Sequence, residues 1–296
     1  MARRHEKSKP TPLIVQHFDS IAAIASDLTA PFTGPAASAN ESMSRRHNFD
    51  SRRGAHWYGV DVTSEELRQM ATVTGYPEGG DIMRGFHEQV AARLPRALGF
   101  MRTKRKGDQG DELDYHAMLR GASDRAWTKA ARTIKSGSGV LRLCVDIAGN
   151  CTQSADALRW RGIAGASLAE VMRRAGYSVE IQAVMATATP DFEQTINTYT
   201  SIVVKSRKAT VDFDQLAATI GLPGFYRTFG FHSIIRSCDI ADKKAEPGIG
   251  SYLSAESVAP LDPKVITLFV SPEVMDELSA VDWVARSVKL LQGAKA

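Results

Sequence analysis

The sequence predicts an α/β protein in which a doubly wound, mostly parallel sheet is preceded by a helical region and an irregular amino-terminal arm. From residue 139 onward, short apolar runs typical of buried strands alternate with longer segments of helical periodicity. Such alternation is typical of βαβ units that share one sheet. We therefore divide the chain into a flexible arm, a helical region and an α/β domain, at residues 1–55, 56–138 and 139–296.

The α/β domain has a separate signal for each element. The apolar run 140–147 indicates a strand buried on both faces, and the helix after it is expected to end at Gly176. Further strands are predicted at 177–185, 199–205 and 264–270. The last helix is expected to have Ser271 as its cap, Pro272 as its first residue and a buried face made of Val274, Leu278, Val281, Val288 and Leu291.

The middle region has the signals of polar helices. Thr63 and Glu66 form a capping box, because each can satisfy a free backbone donor of the other, and Gly75 is expected to end that helix. A second helix is predicted over 81–98 and a third over 113–134.

The amino-terminal arm has little periodic signal. One short helix is predicted over 18–28, and the prolines and glycine of 31–35 indicate a loop. Two arginine pairs, Arg45-Arg46 and Arg52-Arg53, could contact nucleic acid. The whole chain has 37 Lys and Arg against 33 Asp and Glu, a net charge of +4, which does not indicate a strongly basic nucleic-acid-binding protein.

Composition and motifs exclude several classes. No apolar run approaches the roughly 20 residues of a membrane helix, and the basic amino terminus has no apolar core of a signal peptide behind it. The three cysteines, Cys144, Cys151 and Cys238, form no Cys-x-x-Cys, which favours a reducing cytoplasm. The signatures of P-loop ATPases, zinc proteases and α/β-hydrolases are absent. We expect a cytoplasmic protein with no membrane partner.

The junction between the first predicted strand and its helix carries a family resemblance. The strand ends in Asp146-Ile147-Ala148-Gly149-Asn150, and the second strand begins with Gly176-Tyr177-Ser178-Val179-Glu180-Ile181. Residues 139–290 thereby resemble the von Willebrand factor A-type domain, in the version found in the cobaltochelatase small subunit and related partners of AAA+ ATPases. In that family the strand ends in Asp-x-Ser-x-Ser, and the Asp and Ser side chains hold a divalent ion.

The resemblance implies a degenerate Mg²⁺ site. Asp146 matches the first ligand, whereas Ala148 has no side-chain oxygen where the family has its first serine. Asn150 replaces the second serine and can offer a carbonyl oxygen, which suits hard cations. Asp191 is a candidate later ligand. The alternative is that no cofactor binds and that Asp146 accepts hydrogen bonds from the turn after it.

The resemblance also implies a protein partner, an AAA+ ATPase, at the same end of the sheet. Asp146, Asn150 and Thr152 would meet that partner, and Arg159 and Arg161 would supply fork-shaped contacts to its carboxylates. Alternatively, the two arginines form salt bridges within the chain. We therefore expect a non-enzymatic interaction or adaptor protein.

A second resemblance concerns origin. His56-Trp57-Tyr58-Gly59, the run Gly75 to Gly79, the run Gly107 to His116, and Arg161-Gly162 resemble a family of uncharacterised proteins that phages and plasmids encode. This suggests a mobile-element protein in the host cytoplasm. An alternative is a virion structural or assembly protein, whose arm contacts virion proteins or packaged nucleic acid.

An acidic cluster provides the enzymatic alternative. A metal-dependent nuclease or hydrolase needs several carboxylates around one or two ions. The cluster follows a basic run, so a solvated, self-pairing surface loop is the competing interpretation. Its members are Asp108, Asp111, Glu112, Asp114 and His116.

Overall fold

A six-stranded sheet flanked by helices forms the centre of the protein in a computed structural model. The sheet is mixed and mostly parallel, so the predicted α/β fold class is confirmed. The structure describes residues 13–34, 36–38, 40–41, 55–93, 102–107, 112–113, 118, 126–132, 139–148, 154–190, 195–241, 251–270 and 272–293.

Strands and helices are numbered here in chain order. The strands are β1 (Leu13–Phe18), β2 (Arg102–Gly107), β3 (Glu112–Leu113), β4 (Trp127–Arg132), β5 (Val140–Asp146), β6 (Ser178–Pro190), β7 (Thr195–Lys205), β8 (Ser251–Leu253) and β9 (Ile266–Val270). The helices are α1 (Ile21–Thr29), α2 (Ala55–Tyr58), α3 (Ser64–Gln69), α4 (Pro77–Arg93), α5 (Ala155–Arg174), α6 (Phe213–Thr219), α7 (Pro223–Phe225), α8 (Phe231–Ala241), α9 (Ala255–Val258) and α10 (Glu277–Gly293). Single π-helical turns extend α3 and join α7 to α8.

The main sheet has the strand order β1-β7-β6-β5-β9, and β8 pairs with β6. The pairs β1–β7, β5–β6 and β5–β9 are parallel, whereas β6 is antiparallel to β7 and β8. Because β5 and β9 are parallel neighbours, their carboxyl ends lie together at one end of the sheet.

The two faces of the sheet are covered unequally. Alternate residues of β5, such as Leu143 and Val145, join the large core made with the long helices. Cys144 points to the other face, where it shares a small cluster with Tyr199 and Ala255. Only the segment that contains β8 and α9 covers this second face among the described residues.

Several local predictions are confirmed. Thr63 and Glu66 form the reciprocal capping box, with the Thr63 N–H donating to Glu66 Oε2 at 2.7 Å and the Glu66 N–H to Thr63 Oγ1 at 3.1 Å. Helix α5 has 20 residues. Gly176 follows it with a φ of +92°, a conformation that favours glycine.

The prediction of a flexible arm is wrong for residues 13–29. Strand β1 pairs with β7 at the edge of the main sheet, and α1 buries Ile24 in the core, where the short helix was predicted. The Gln16 side-chain amide donates to the Ser233 carbonyl at 2.9 Å. The boundary at residue 55 therefore does not separate an arm from the α/β sheet, because β1 completes that sheet.

The prediction of a third helix in the middle region is also wrong. Where that helix was predicted over 113–134, Leu113 and residues 127–132 instead lie in β3 and β4 of an antiparallel three-stranded sheet with the order β2-β4-β3. The pairing of β2 with β4 joins residues that are 20 to 30 positions apart in the sequence. The spacing of apolar residues within one segment cannot indicate such a pairing.

The last helix begins later than predicted. It starts at Glu277, where Asp276 and Ser279 cap it reciprocally: the Ser279 N–H donates to Asp276 Oδ1 at 2.8 Å. Leu278 is 76% exposed, contrary to the predicted buried face, because it lies in the first turn outside the core. Val288 and Leu291 are buried as expected. No helix of the described residues is long and apolar enough to cross a membrane.

Candidate functional site

The candidate site lies at the carboxyl end of β5. Asp146 is the last residue of that strand and points to the face covered by β8 and α9. Only 3% of Asp146 is exposed. A carboxylate this deeply buried must be paired with donors from the protein.

Both oxygens of the Asp146 carboxylate accept hydrogen bonds. Oδ1 accepts from the Ala148 N–H at 3.0 Å, so Asp146 does accept from the turn after it. Oδ2 accepts from the Tyr252 hydroxyl at 2.9 Å and from the Ala255 N–H at 3.5 Å. Asp146 thereby holds the β8–α9 segment against the end of β5. Because both oxygens already accept hydrogen bonds from the chain, this carboxylate is poorly suited to act as a metal ligand.

Burial dominates the protonation of this carboxyl group. It raises the pKa of Asp146 from the usual 3.8 to about 6, against the opposing effects of the bonds from Tyr252 and Ala148. Burial and the charge of Asp146 also raise the pKa of the Tyr252 hydroxyl. Tyr252 therefore stays a hydrogen-bond donor to Asp146 at neutral pH.

The substitution Asp146→Asn should remove a pH dependence of stability. A carboxyl group with a raised pKa in the folded state stabilises the fold most below pH 3.8, and this stabilisation is lost as the pH rises through about 6. The shift corresponds to about 3 kcal/mol. Between pH 4 and 7, urea unfolding should show the wild type losing about this much stability relative to Asp146→Asn. A difference that stays constant with pH would contradict the assignment.

Arg161 holds the two strand ends together. This fully buried residue of α5 donates through Nη1 to the carbonyls of Asp146 (3.5 Å) and Ala148 (3.3 Å). Its Nη2 donates to the carbonyl of Pro272, beyond β9, at 3.3 Å. Burial lowers the pKa of the Arg161 guanidinium, while the charge of Asp146 opposes that shift. Arg161 is therefore not placed for the predicted fork-shaped contact with a partner.

Arg159 lies nearer the surface. Its Nη1 pairs with Asp156 Oδ1 at 3.1 Å, one helical turn earlier, which is the salt bridge given as the alternative. Asp156 is exposed, and Arg159 is partly exposed. The two side chains lie at the start of α5 beside the end of β5.

Most of the remaining predicted site residues lie outside the described residues. The backbone of one of them, Glu112, is described, but its side chain is not. Glu112 is in β3, where it pairs with Thr128 of β4. Within the described parts of the chain, no group of three or more His, Cys, Asp or Glu is placed to hold a metal ion. The predictions of a magnesium site and of an acidic catalytic cluster therefore stay predictions, since nothing is described of Asn150, Thr152, Asp191, Asp108, Asp111, Asp114 and His116.

Sequence reasoning missed Tyr252, the residue that closes over Asp146. It lies in a three-residue strand between segments rich in glycine, serine and alanine, and a strand this short has no periodicity to detect. The one available signal was a lone large aromatic residue in a small-residue segment.

The comparison with protein families assigns the chain to a family. Residues 4–274 match the family described as a domain of unknown function, DUF7192. The chain belongs to this family. The match spans the middle region and every strand of the main sheet of this DUF7192 protein. No curated protein and no solved structure matches it.

Proposed function

We propose that the chain is a non-enzymatic interaction protein that docks a partner at the carboxyl ends of β5 and β9. The observation that carries this proposal is the hydrogen bonding of the Asp146 and Arg161 side chains. Both groups direct their hydrogen bonds to the chain itself, where they fix Ala148, Pro272 and the β8–α9 segment. Such bonds support a preformed surface at the strand ends, and they leave neither group free for acid–base work.

The docking surface is defined here as the exposed and partly exposed residues beside these strand ends, which we call the strand-end surface. Asp156 and Arg159 belong to it at the start of α5, and Glu273 and Met275 belong to it after β9. A surface with a mixed-charge margin and an exposed methionine has the composition of many protein interfaces.

For the partner, we propose an AAA+ ATPase. We also propose that a phage or other mobile element encodes the protein and that it acts in the host cytoplasm. The support is the resemblance of residues 139–290 to A-type domains that serve such ATPases, together with the α/β sheet in which Asp146 ends a strand. The proposal requires no ion at Asp146, because Ala148, Tyr252 and Ala255 already satisfy its carboxylate.

Affinity purification of the tagged full chain from its native host tests the proposal. Mass spectrometry should identify an AAA+ ATPase, and the two purified proteins should bind each other. Arg159→Glu should weaken that binding by about tenfold or more, because it reverses a charge on the strand-end surface. Arg286→Glu, an exposed change on α10, is the matched control and should bind like the wild type.

Three results would overturn the proposal. Recovery of capsid or tail proteins in place of an ATPase would identify a virion component. Equal binding by Arg159→Glu and the wild type would show that the partner contacts a surface other than the strand-end surface. Mg²⁺-dependent cleavage of nucleic acid that is lost in Asp111→Ala or Asp114→Ala would establish an enzyme.

A further inference from the structure

A cavity of about 220 Å³ lies on the face of the sheet opposite the long helices. Residues from β1, β5, β6, β7 and β9 line it, and the segment 259–261 borders it. Typical pockets for drug-sized ligands measure about 300–1,000 Å³, so this cavity suits a smaller molecule.

Tyr199 supplies a hydroxyl group to the lining of the cavity. Only 4% of this β7 residue is exposed, and its hydroxyl makes no hydrogen bond with any described residue. Burial raises the pKa of Tyr199, so the hydroxyl keeps its proton at neutral pH. A protonated hydroxyl in the wall of a cavity can donate its hydrogen bond to a ligand atom that accepts it.

Arg142 supplies charge. Its Nε donates to Glu180 Oε1 at 2.7 Å, and the second Glu180 oxygen accepts from Arg207 at 3.1 Å. The three side chains together carry one net positive charge. The two terminal amino groups of Arg142 hydrogen-bond no described residue, although the side chain lines the cavity. Such a pair of amino groups matches the two oxygens of an oxyanion.

The other walls are of two kinds. His17 Nδ1 and Ser201 Oγ lie 2.8 Å apart and satisfy each other at the β1–β7 end. Val15, Leu261 and Phe269 provide apolar surface. The cavity therefore combines a cationic fork and a hydroxyl donor with apolar walls.

We propose that this cavity binds a small-molecule oxyanion, a carboxylate or a phosphate ester, carried on a compact apolar body. The oxyanion accepts hydrogen bonds from Arg142 and Tyr199, and the apolar body contacts Leu261 and Phe269. This site is independent of docking at the strand-end surface, since it shares no residue with that surface.

Titration calorimetry and thermal unfolding of the full chain test the site with benzoate, phenyl phosphate and inorganic phosphate. At least one of the two aromatic probes should bind saturably and raise the melting temperature. Tyr199→Phe should weaken that binding about two- to tenfold, the effect of one hydrogen bond. Arg142→Lys should weaken it about tenfold or more, because lysine keeps the charge but loses the fork. Arg286→Lys, at an exposed position of α10, should bind like the wild type.

Each outcome decides the proposal. Preference for benzoate identifies a carboxylate ligand, and preference for phenyl phosphate identifies a phosphate ester. The proposal fails if neither aromatic probe binds the folded protein at concentrations up to about 10 mM. It also fails if both cavity variants bind as well as the wild type, or if inorganic phosphate binds as tightly as the better-binding aromatic probe. Circular dichroism establishes that each variant is folded, and Tyr199→Phe removes a single oxygen that bonds to no described residue.

Discussion

Replacing Arg161 with methionine should lower the free energy of unfolding by about 3–5 kcal/mol, the cost of removing one partner from a buried charged group. Methionine fills a similar space but donates no hydrogen bond. The carbonyls of Asp146, Ala148 and Pro272 would lose their donor, and the buried Asp146 would lose the stabilising charge of Arg161. Urea unfolding followed by circular dichroism measures the loss.

Arg159→Met is the matched control for this substitution. Arg159 lies on the same helix, but its pair with Asp156 is at the surface, so its loss should cost less than about 1 kcal/mol. Arg161→Lys should fall between the wild type and Arg161→Met, because lysine can reach fewer of the three carbonyls. If Arg161→Met proved as stable as Arg159→Met, Arg161 would not hold the strand ends together.

Gly162→Ala should cost more than about 3 kcal/mol, the upper range for overpacking a core. Helix α5 meets the end of α6 at this glycine, and a Cβ there would lie 2.3 Å from the Ile220 carbonyl oxygen. The Ile220 carbonyl carbon and the Gly221 nitrogen are also within 2.9 Å of that position. These are backbone atoms, so the two helices would have to separate.

Gly85→Ala is the control for Gly162→Ala. Gly85 is also inside a helix, α4, but a Cβ there would meet nothing within 4 Å. Alanine should therefore stabilise the protein by about 0.5–1 kcal/mol through its higher helix propensity. Thermal unfolding of the two variants should move in opposite directions, and a similar loss in both would show that the close approach at Gly162 is unimportant.

Elements with strong local signals could be predicted from the sequence. The apolar run of β5, the capping box of Thr63 and Glu66, and the glycine after α5 each specify structure through neighbouring residues. Strands β1 and β4 could not be predicted in this way, because their pairing partners are distant along the chain.

The candidate site was predicted in part. The alternation of strands and helices placed Asp146 at a strand end, which is where the structure has it. The pattern did not indicate that Arg161 turns into the core, because an arginine on a helix is usually solvated. Its burial depends on three carbonyls that two separate strand ends bring to the same place. Such convergence is a property of the fold and has no local signature.

The edge of the sheet formed by β1 has a consequence for the order of folding. Residues 13–18 pair with residues 197–202, and the bond from Gln16 to Ser233 joins positions 217 residues apart. The ribosome must therefore synthesise the chain as far as β7 before β1 can pair with it. Contacts between such distant residues carry a high loop-closure entropy and slow the search for the native topology. Until β7 is made, the apolar side chains of β1 and α1 are exposed to aggregation or to chaperones.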